Sequence, residues 1–264
     1  MKILFFGDIV GKIGRSAIKK KINEIKKTYK PDLILANGEN LAHGTGFTKK
    51  TVLEMQQAGI DCLTMGNHVW DNKQGVKDLK TTNMPIILPA NMEQEAPGKI
   101  WQTFKIKKLK IAVFNLLGEV FINKETTSLF KTADAVLEEL NKEEPDVIIV
   151  DLHAETTSEK QALWYYLDGR VNAVVGTHTH VATANPRVSK KGTALVEDVG
   201  FVGAEDAVLG ARKENILRRF LNNEKLSIDP PEKGKAIINA VLITVDDKTK
   251  KTKTIKRIDL SVSI

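Results

Sequence analysis

The chain has almost no cysteine, and it lacks any stretch that resembles a membrane span or a linker. Its one cysteine, Cys62, excludes an internal disulfide and agrees with a reducing, cytoplasmic setting. Cys62 lies in the apolar run IDCLTM and reads as a buried strand residue. No apolar run approaches roughly 18–20 residues, so no membrane partner is expected. The first residues, MKILFFGDIVG, carry one Lys, and Asp8 breaks their short apolar run. They read as a β-strand and not as a signal peptide. There is no internal repeat, no low-complexity tract and no Pro/Gly/Ser-rich linker, which leaves residues 1–264 as a single domain.

What is present fits a globular protein with one large core: 42% of residues are hydrophobic and 28% charged. The formal net charge of +7 can steer anionic substrates toward the molecule. Lys-rich stretches such as KKKINEIKK read equally well as solvated helix faces, so charge alone does not argue for nucleic acid.

Along the chain, short apolar runs alternate with segments of helical periodicity. KILFFG is a strand, and Ile18, Ile22 and Ile25 mark one face of a helix over 14–29. Pro31 breaks that helix before the strand LIL. A helix over 48–58 has Thr48 as its cap and Gly59 as its stop. IDCLTM, a loop GNHVWDN, a short helix over 75–79 and the strand PIILPA follow. IWQTFKI and KIAVFNLL, joined by KKLK, form a β-hairpin. Helices over 128–140 and 160–167 precede the strands DVIIVDLHAE and NAVVGTHTH. TALVEDVGF reads as one further strand, then a basic helix NILRRFLN, then two alternating strands around DDKTKK. Strand–helix alternation of this kind predicts a mixed α/β fold with helices covering a sheet.

The polar residues at the strand ends carry the chemistry. FFGD ends in Asp8, LANGEN in Glu39 and Asn40, TMGNH in Asn67 and His68, VDLH in His153, and GTHTH in His178 and His180. The carboxyl ends of strands form one rim in α/β folds, and ligand sites are built there. Of the five histidines, four fall in these clusters and the fifth, His43, lies three residues after Asn40. Imidazole, carboxylate and amide oxygen without thiolate suit iron, manganese, zinc or cobalt. Asp8, Glu39, Asn40, Asn67, His153, His178 and His180 are too many ligands for one tetrahedral ion. They suit two ions sharing one carboxylate, about 3.5–4 Å apart, which can clamp both the attacking and the leaving oxygen of a phosphoryl group. On an extended strand the rings of His178 and His180 share a face. GDIVGKIG also follows a strand and opens a helix, but its glycine spacing matches neither the dinucleotide fingerprint nor the P-loop.

These motifs, in this order, resemble the calcineurin-like metallophosphoesterase superfamily. Val10 stands where the first histidine of that pattern is usual, and Glu39-Asn40 replaces its second aspartate. With those departures, GDIVGKIGR, ANGENLAHGTGFT, GNHVWDNK, DLHAETTSEK, GTHTHVAT and DVGF are similar to the YmdB-like family over nearly the whole chain. The resemblance implies a four-layer αββα sandwich, two mixed sheets face to face with helices outside, and a 2′,3′-cyclic-nucleotide 2′-phosphodiesterase. It implies that Asp8, Glu39, Asn40 and His180 hold one ion and that Glu39, Asn67, His153 and His178 hold the other. Asn40 then covers for the histidine absent at Val10. A hydroxide bridging the two ions is the implied nucleophile, and His68 is the implied proton donor to the leaving oxygen. Iron is the first metal to expect, then manganese or zinc. Ala204 and Glu205 replace a Pro-Tyr pair of the family pattern, which bears on contacts to substrate.

Around this centre, His43, Gly44, Thr45 and Gly46 are candidates for phosphate contact, against the plain reading of HGTG as a polar turn. Asp71 and Asp198 are candidates to orient His68 or a ligand imidazole from behind. The expected partner is a small phosphoester, a nucleotide or an RNA end, and a homo-oligomer is compatible with the sequence. Two other functions use the same residues: a phosphomonoesterase (a nucleotidase or protein phosphatase), and a regulatory or RNA-associated protein whose metal centre is structural.

Overall fold

The computed structural model describes residues 1–93 and 97–264. The first half of the chain runs β1 (Lys2–Phe6), β2 (Asp8–Ile9), α1 (Gly11–Tyr29), β3 (Leu33–Asn37), α2 (Lys49–Ala58), β4 (Cys62–Thr64), α3 (Lys73–Thr81) and β5 (Ile86–Ile87). The hairpin β6 (Trp101–Ile106) and β7 (Leu109–Leu117) follows, then α4 (Leu129–Asn141), β8 (Val147–His153), α5 (Thr157–Leu167) and β9 (Ala173–Thr177). The last part is β10 (Arg187–Val188), β11 (Ala194–Val196), β12 (Phe201–Ala204), α6 (Lys213–Asn222), β13 (Lys235–Val245) and β14 (Thr252–Ser263).

The strands make two mixed sheets. One has eight strands and the order β2-β12-β13-β1-β3-β4-β5, with β14 along β13; the other has six in the order β10-β11-β9-β8-β7-β6. β1, β3, β4 and β5 run parallel, as do β7, β8, β9 and β11. Strands with both faces covered read as continuous apolar runs, which is why KILFF and VIIV show no alternation. Along β1 the side chains nonetheless sort by parity. Ile3 and Phe5 join Leu35, Ile149 and Val175 in the core between the sheets. Leu4 and Phe6 join Ile13, Ile18 and Val52 beneath α1 and α2. On the far side, α4 and α5 cover the second sheet through Leu137 and Leu163. The layers are therefore α, β, β, α, the expected sandwich.

Two strand readings are corrected. TALVEDVGF is not one strand: β11 lies in the six-stranded sheet and β12 in the eight-stranded one. The chain crosses between them at 197–200, where Gly200 takes φ 92, a region costly for other residues. NAVVGTHTH is extended only as far as Thr177. His178 and His180 have φ 100 and 60, so the two rings are aimed by a left-handed loop and not by the face of a strand. Among the described residues, no helix is long and apolar enough to cross a membrane.

Candidate metal centre

The carboxyl ends of β1, β3 and β4 in one sheet and of β8 and β9 in the other meet at one rim. Three side chains converge on His153 Nε2: Glu39 Oε1 at 3.1 Å, Asn67 Oδ1 at 3.1 Å and His178 Nδ1 at 3.0 Å. The donor atoms of Glu39, His153 and His178 all lie within 4.8 Å of one another. A second group adjoins it. His180 Nε2 is 3.3 Å from the amide nitrogen of Asn40 and 3.7 Å from Asp8 Oδ1. The same Asn40 nitrogen donates to Glu39 Oε1 at 3.3 Å, so Glu39 touches both groups. A half-turn of that amide would present Asn40 Oδ1, the atom a ligand needs.

Each imidazole is oriented from behind. His153 Nδ1 donates to Thr177 Oγ1 at 2.9 Å, and that hydroxyl donates to Asp151 Oδ1 at 2.8 Å. His180 Nδ1 donates to the Leu209 carbonyl at 2.9 Å, and its ring stacks on Phe201. His178 Nε2 lies 3.1 Å from Glu155 Oε2. In every case the opposite ring nitrogen faces the cluster.

The electrostatics favour cations. Burial disfavours charge on His153, but Glu39, Asp8 and Asp151 outweigh it and push this imidazole up to about 9. Burial and the neighbouring His153 push His178 down to about 4. Burial also opposes ionisation of Asp8, yet the neighbouring His180 and His153 imidazoles and the His178 N–H hold the carboxyl below the ordinary range. Asp151 is pushed up to about 6 by burial. Among the described residues Asp8 Oδ1 has no hydrogen-bond partner and is buried, an expensive state for a carboxylate oxygen unless a cation meets it. A Cβ on Gly66 would stand 2.3 Å from Glu39 Oε2 and 2.4 Å from His153 Nε2, so only glycine fits against the cluster.

The two left-handed residues of the His-Thr-His loop are pinned through Thr179. Its N–H and Oγ1 both donate to Asp198 Oδ2, at 3.0 and 2.8 Å, while Gly200 N–H donates to Asp198 Oδ1. Lys160 Nζ, on α5, completes the carboxylate at 2.9 Å, and Lys160 is 0% and Asp198 1% exposed. Asp198 thus orients the His178 and His180 rings without touching either, by holding the loop between them. Asp71 does reach His68: Nδ1 to Oδ2 is 2.6 Å, with Lys124 Nζ on the other carboxylate oxygen at 2.9 Å.

His68 lines a cleft of about 340 Å³ over the centre, with Gly44, Thr45, Glu155, Leu209 and Pro230 among its walls. Gly44 and Thr45 therefore border this cleft, and His43 borders a different one. Its left-handed backbone (φ 56) turns the exposed ring into a neighbouring cleft with Lys12 and Arg212. Gly46 is buried and packs beside Asn72. Ala204 is buried in β12, and Glu205 pairs with Lys235 and Ser261, so neither lines the cleft. Sequence reading missed Asp151, Glu155, Thr177 and Lys160. The signal for Asp151 was available, as a carboxylate inside the apolar run VIIVDLH. Lys160 left none, because a lysine on a helix is ordinarily solvated.

A family model described as YmdB-like protein matches residues 4–258. The chain is 43% identical over 258 residues to a Bacillus subtilis protein named 2′,3′-cyclic-nucleotide 2′-phosphodiesterase, covering 98% of this chain and 96% of that one. A solved structure from Mycoplasma pneumoniae, described as a novel phosphatase, superposes with a TM-score of 0.91 at 35% identity, covering 100% of this chain and 94% of the other. One from Thermus thermophilus, described as a hypothetical protein, gives 0.90 at 32% identity and covers 99% of each. The sandwich and the resemblance read from the ordered motifs are both borne out.

Proposed function

Because this chain belongs to the YmdB-like family, we propose that it is a binuclear metal-dependent phosphodiesterase that opens 2′,3′-cyclic nucleotides at the 2′ ester, working in the cytoplasm. One observation carries the reading beyond the relatives' names. Seven nitrogen- and oxygen-bearing side chains without a thiolate meet at one rim, and Asp8 Oδ1 among them is buried with no hydrogen-bond partner among the described residues. The residues fit two ions: Asp8, Glu39, Asn40 and His180 for one, Glu39, Asn67, His153 and His178 for the other. The donor chemistry favours iron, with manganese or zinc as alternatives. When bound, such ions lower the pKa of bound water and offset phosphoryl charge.

The chain's own residues supply the rest. Asp71 accepts from His68 Nδ1, and His68 lines the cleft, so its Nε2 is the nitrogen to give a proton to O2′ as the P–O2′ bond breaks. An alkoxide is a poor leaving group, so this proton is worth about 10²–10⁴-fold in rate. The backbone around Gly44 and the Thr45 side chain border the space for the phosphoryl oxygens. Thr177, Asp151, Leu209 and Asp198 hold the imidazoles in place throughout.

The test pairs metal analysis with kinetics. Glu39→Gln should lose both metal and turnover, and full activity would sink the assignment. His68→Ala should keep two metals per chain and lose rate on 2′,3′-cyclic AMP, with a smaller loss on a nitrophenyl phosphodiester. A parallel assay on 3′,5′-cyclic AMP and nitrophenyl phosphate separates this reading from a phosphomonoesterase, which would favour the monoester.

A further inference from the structure

A basic groove leaves the metal cleft along α1. The cleft shares Pro230 with the neighbouring hollow that holds His43 and Arg212, and that hollow shares Lys12 with a groove of about 790 Å³ between α1 and α2. The continuity follows from the fold. α1 begins three residues after Asp8, with Gly11 N–H bonded to the Asn40 carbonyl, so its first turn stands at the metal site and its length leads away from it. Lys12, Arg15 and Lys19 recur at helical spacing on the groove side, and α2 faces them with Lys49 and Lys50.

The charge is not all neutralised locally. Glu54 serves both Arg15 and Lys19, and Glu232 serves Lys12. Among the described residues, the exposed side chains of Lys49, Lys50 and Arg212 have no acidic partner. A solvated helix face would account for scattered lysines. It does not account for a groove that joins the cleft and carries five cations against two acids, Glu54 and Asp78. From Lys12 to Lys19 the helix rises about 10 Å, roughly three backbone phosphates at the ~3.4 Å axial spacing of a stacked strand.

We propose that the substrate extends beyond a mononucleotide. The protein takes a single RNA strand ending in a 2′,3′-cyclic phosphate, the terminal nucleotide in the cleft and the upstream phosphates in the α1–α2 groove. This rests on the phosphodiesterase reading. The reaction is unchanged: water adds across the P–O2′ bond, its hydroxyl to phosphorus and its proton to O2′, leaving a 3′-phosphate. The 5′ oxygen of the terminal nucleotide takes no part, so a chain can continue from it.

The metal-loaded enzyme is assayed on 2′,3′-cyclic AMP and on a six-residue oligoadenylate ending in the cyclic phosphate. The oligomer should have at least a twentyfold higher kcat/KM at 50 mM salt. With three phosphates engaged, that advantage should fall about twentyfold between 50 and 200 mM salt. Lys49→Glu/Lys50→Glu should bring the oligomer down to the mononucleotide's level and leave the mononucleotide rate unchanged. Both lysines are exposed, and Glu in the first turn of α2 suits the helix dipole, so the variant should fold. An oligomer no better than the mononucleotide, or a double variant that makes no difference, overturns the proposal. Turnover of neither substrate by the wild type removes the phosphodiesterase reading instead. Fluorescence anisotropy of a labelled 3′-phosphate strand then decides the groove by itself: a tenfold weaker Kd in the double variant supports it, and an equal Kd overturns it. Polyglutamate binding as tightly as the strand would point to an acidic protein partner and also overturn it.

Discussion

Removing the carboxylate of Asp198 should damage the metal centre without touching a ligand. In Asp198→Ala the ammonium of Lys160, 0% exposed, loses its counter-charge. Thr179 N–H, Thr179 Oγ1 and Gly200 N–H lose their acceptor as well. Breaking a buried ion pair on one side costs about 3–5 kcal/mol. For 264 residues, an unfolding entropy of about 2.1 cal/mol/K per residue gives roughly 0.55 kcal/mol/K, so Tm should fall by roughly 5–9 °C. A local effect accompanies the global one. His178 and His180 hold φ 100 and 60, each costing about 1–3 kcal/mol for a residue with a Cβ, and Thr179 between them is what Asp198 holds. Released, the loop should relax toward ordinary backbone and take both imidazoles away from Asp8 and Glu39. The assay is a thermal melt monitored by circular dichroism together with metal content per chain. Asp198→Asn/Lys160→Met, which keeps an acceptor and removes the stranded charge, should recover most of the Tm lost by Asp198→Asn alone, because groups in contact couple. A melt of Asp198→Ala within about 1 °C of wild type, or a double variant no better than the single, would refute this account.

Other outcomes follow from the same geometry. Gly66→Ala should lower metal content sharply, because its Cβ meets Glu39 Oε2 and His153; metal loading equal to wild type would show that the cluster yields easily. Cys62, pushed up to about 12 mainly by burial, stays a thiol at all ordinary pH values. Iodoacetamide at pH 8 should therefore leave the native protein unmodified and alkylate it once unfolded, as mass spectrometry would read.

Much of this is legible in the amino-acid sequence. Apolar runs such as KILFF and VIIV declare buried strands because both of their faces are covered, and the strand ends carry their polar residues in plain view. Thr48 and Gly59 bound α2 as read, the first through a capping box and the second at φ 106, since local geometry alone decides such ends. His68 and Asp71 were legible for a similar reason: three residues of one turn place the carboxylate on the ring.

Tertiary structure alone decided the rest. TALVEDVGF reads as one strand because apolar residues stand on both sides of Glu197-Asp198 with no strong turn signal between, yet the chain changes sheet at 197–200, and no local preference records which sheet a strand joins. The strand reading of Thr177-His178-Thr179-His180 failed because two strained φ values are held by Asp198 and by a lysine on α5. That restraint comes from residues 19 and 38 positions away from the ones it meets. By itself the sequence determined which side chains gather at the rim, since strand direction and strand ends are written locally. Which way each imidazole points was settled only in the folded molecule, because the atoms that aim them, Thr177 Oγ1, the Leu209 carbonyl and Asp198, arrive from elsewhere in the chain.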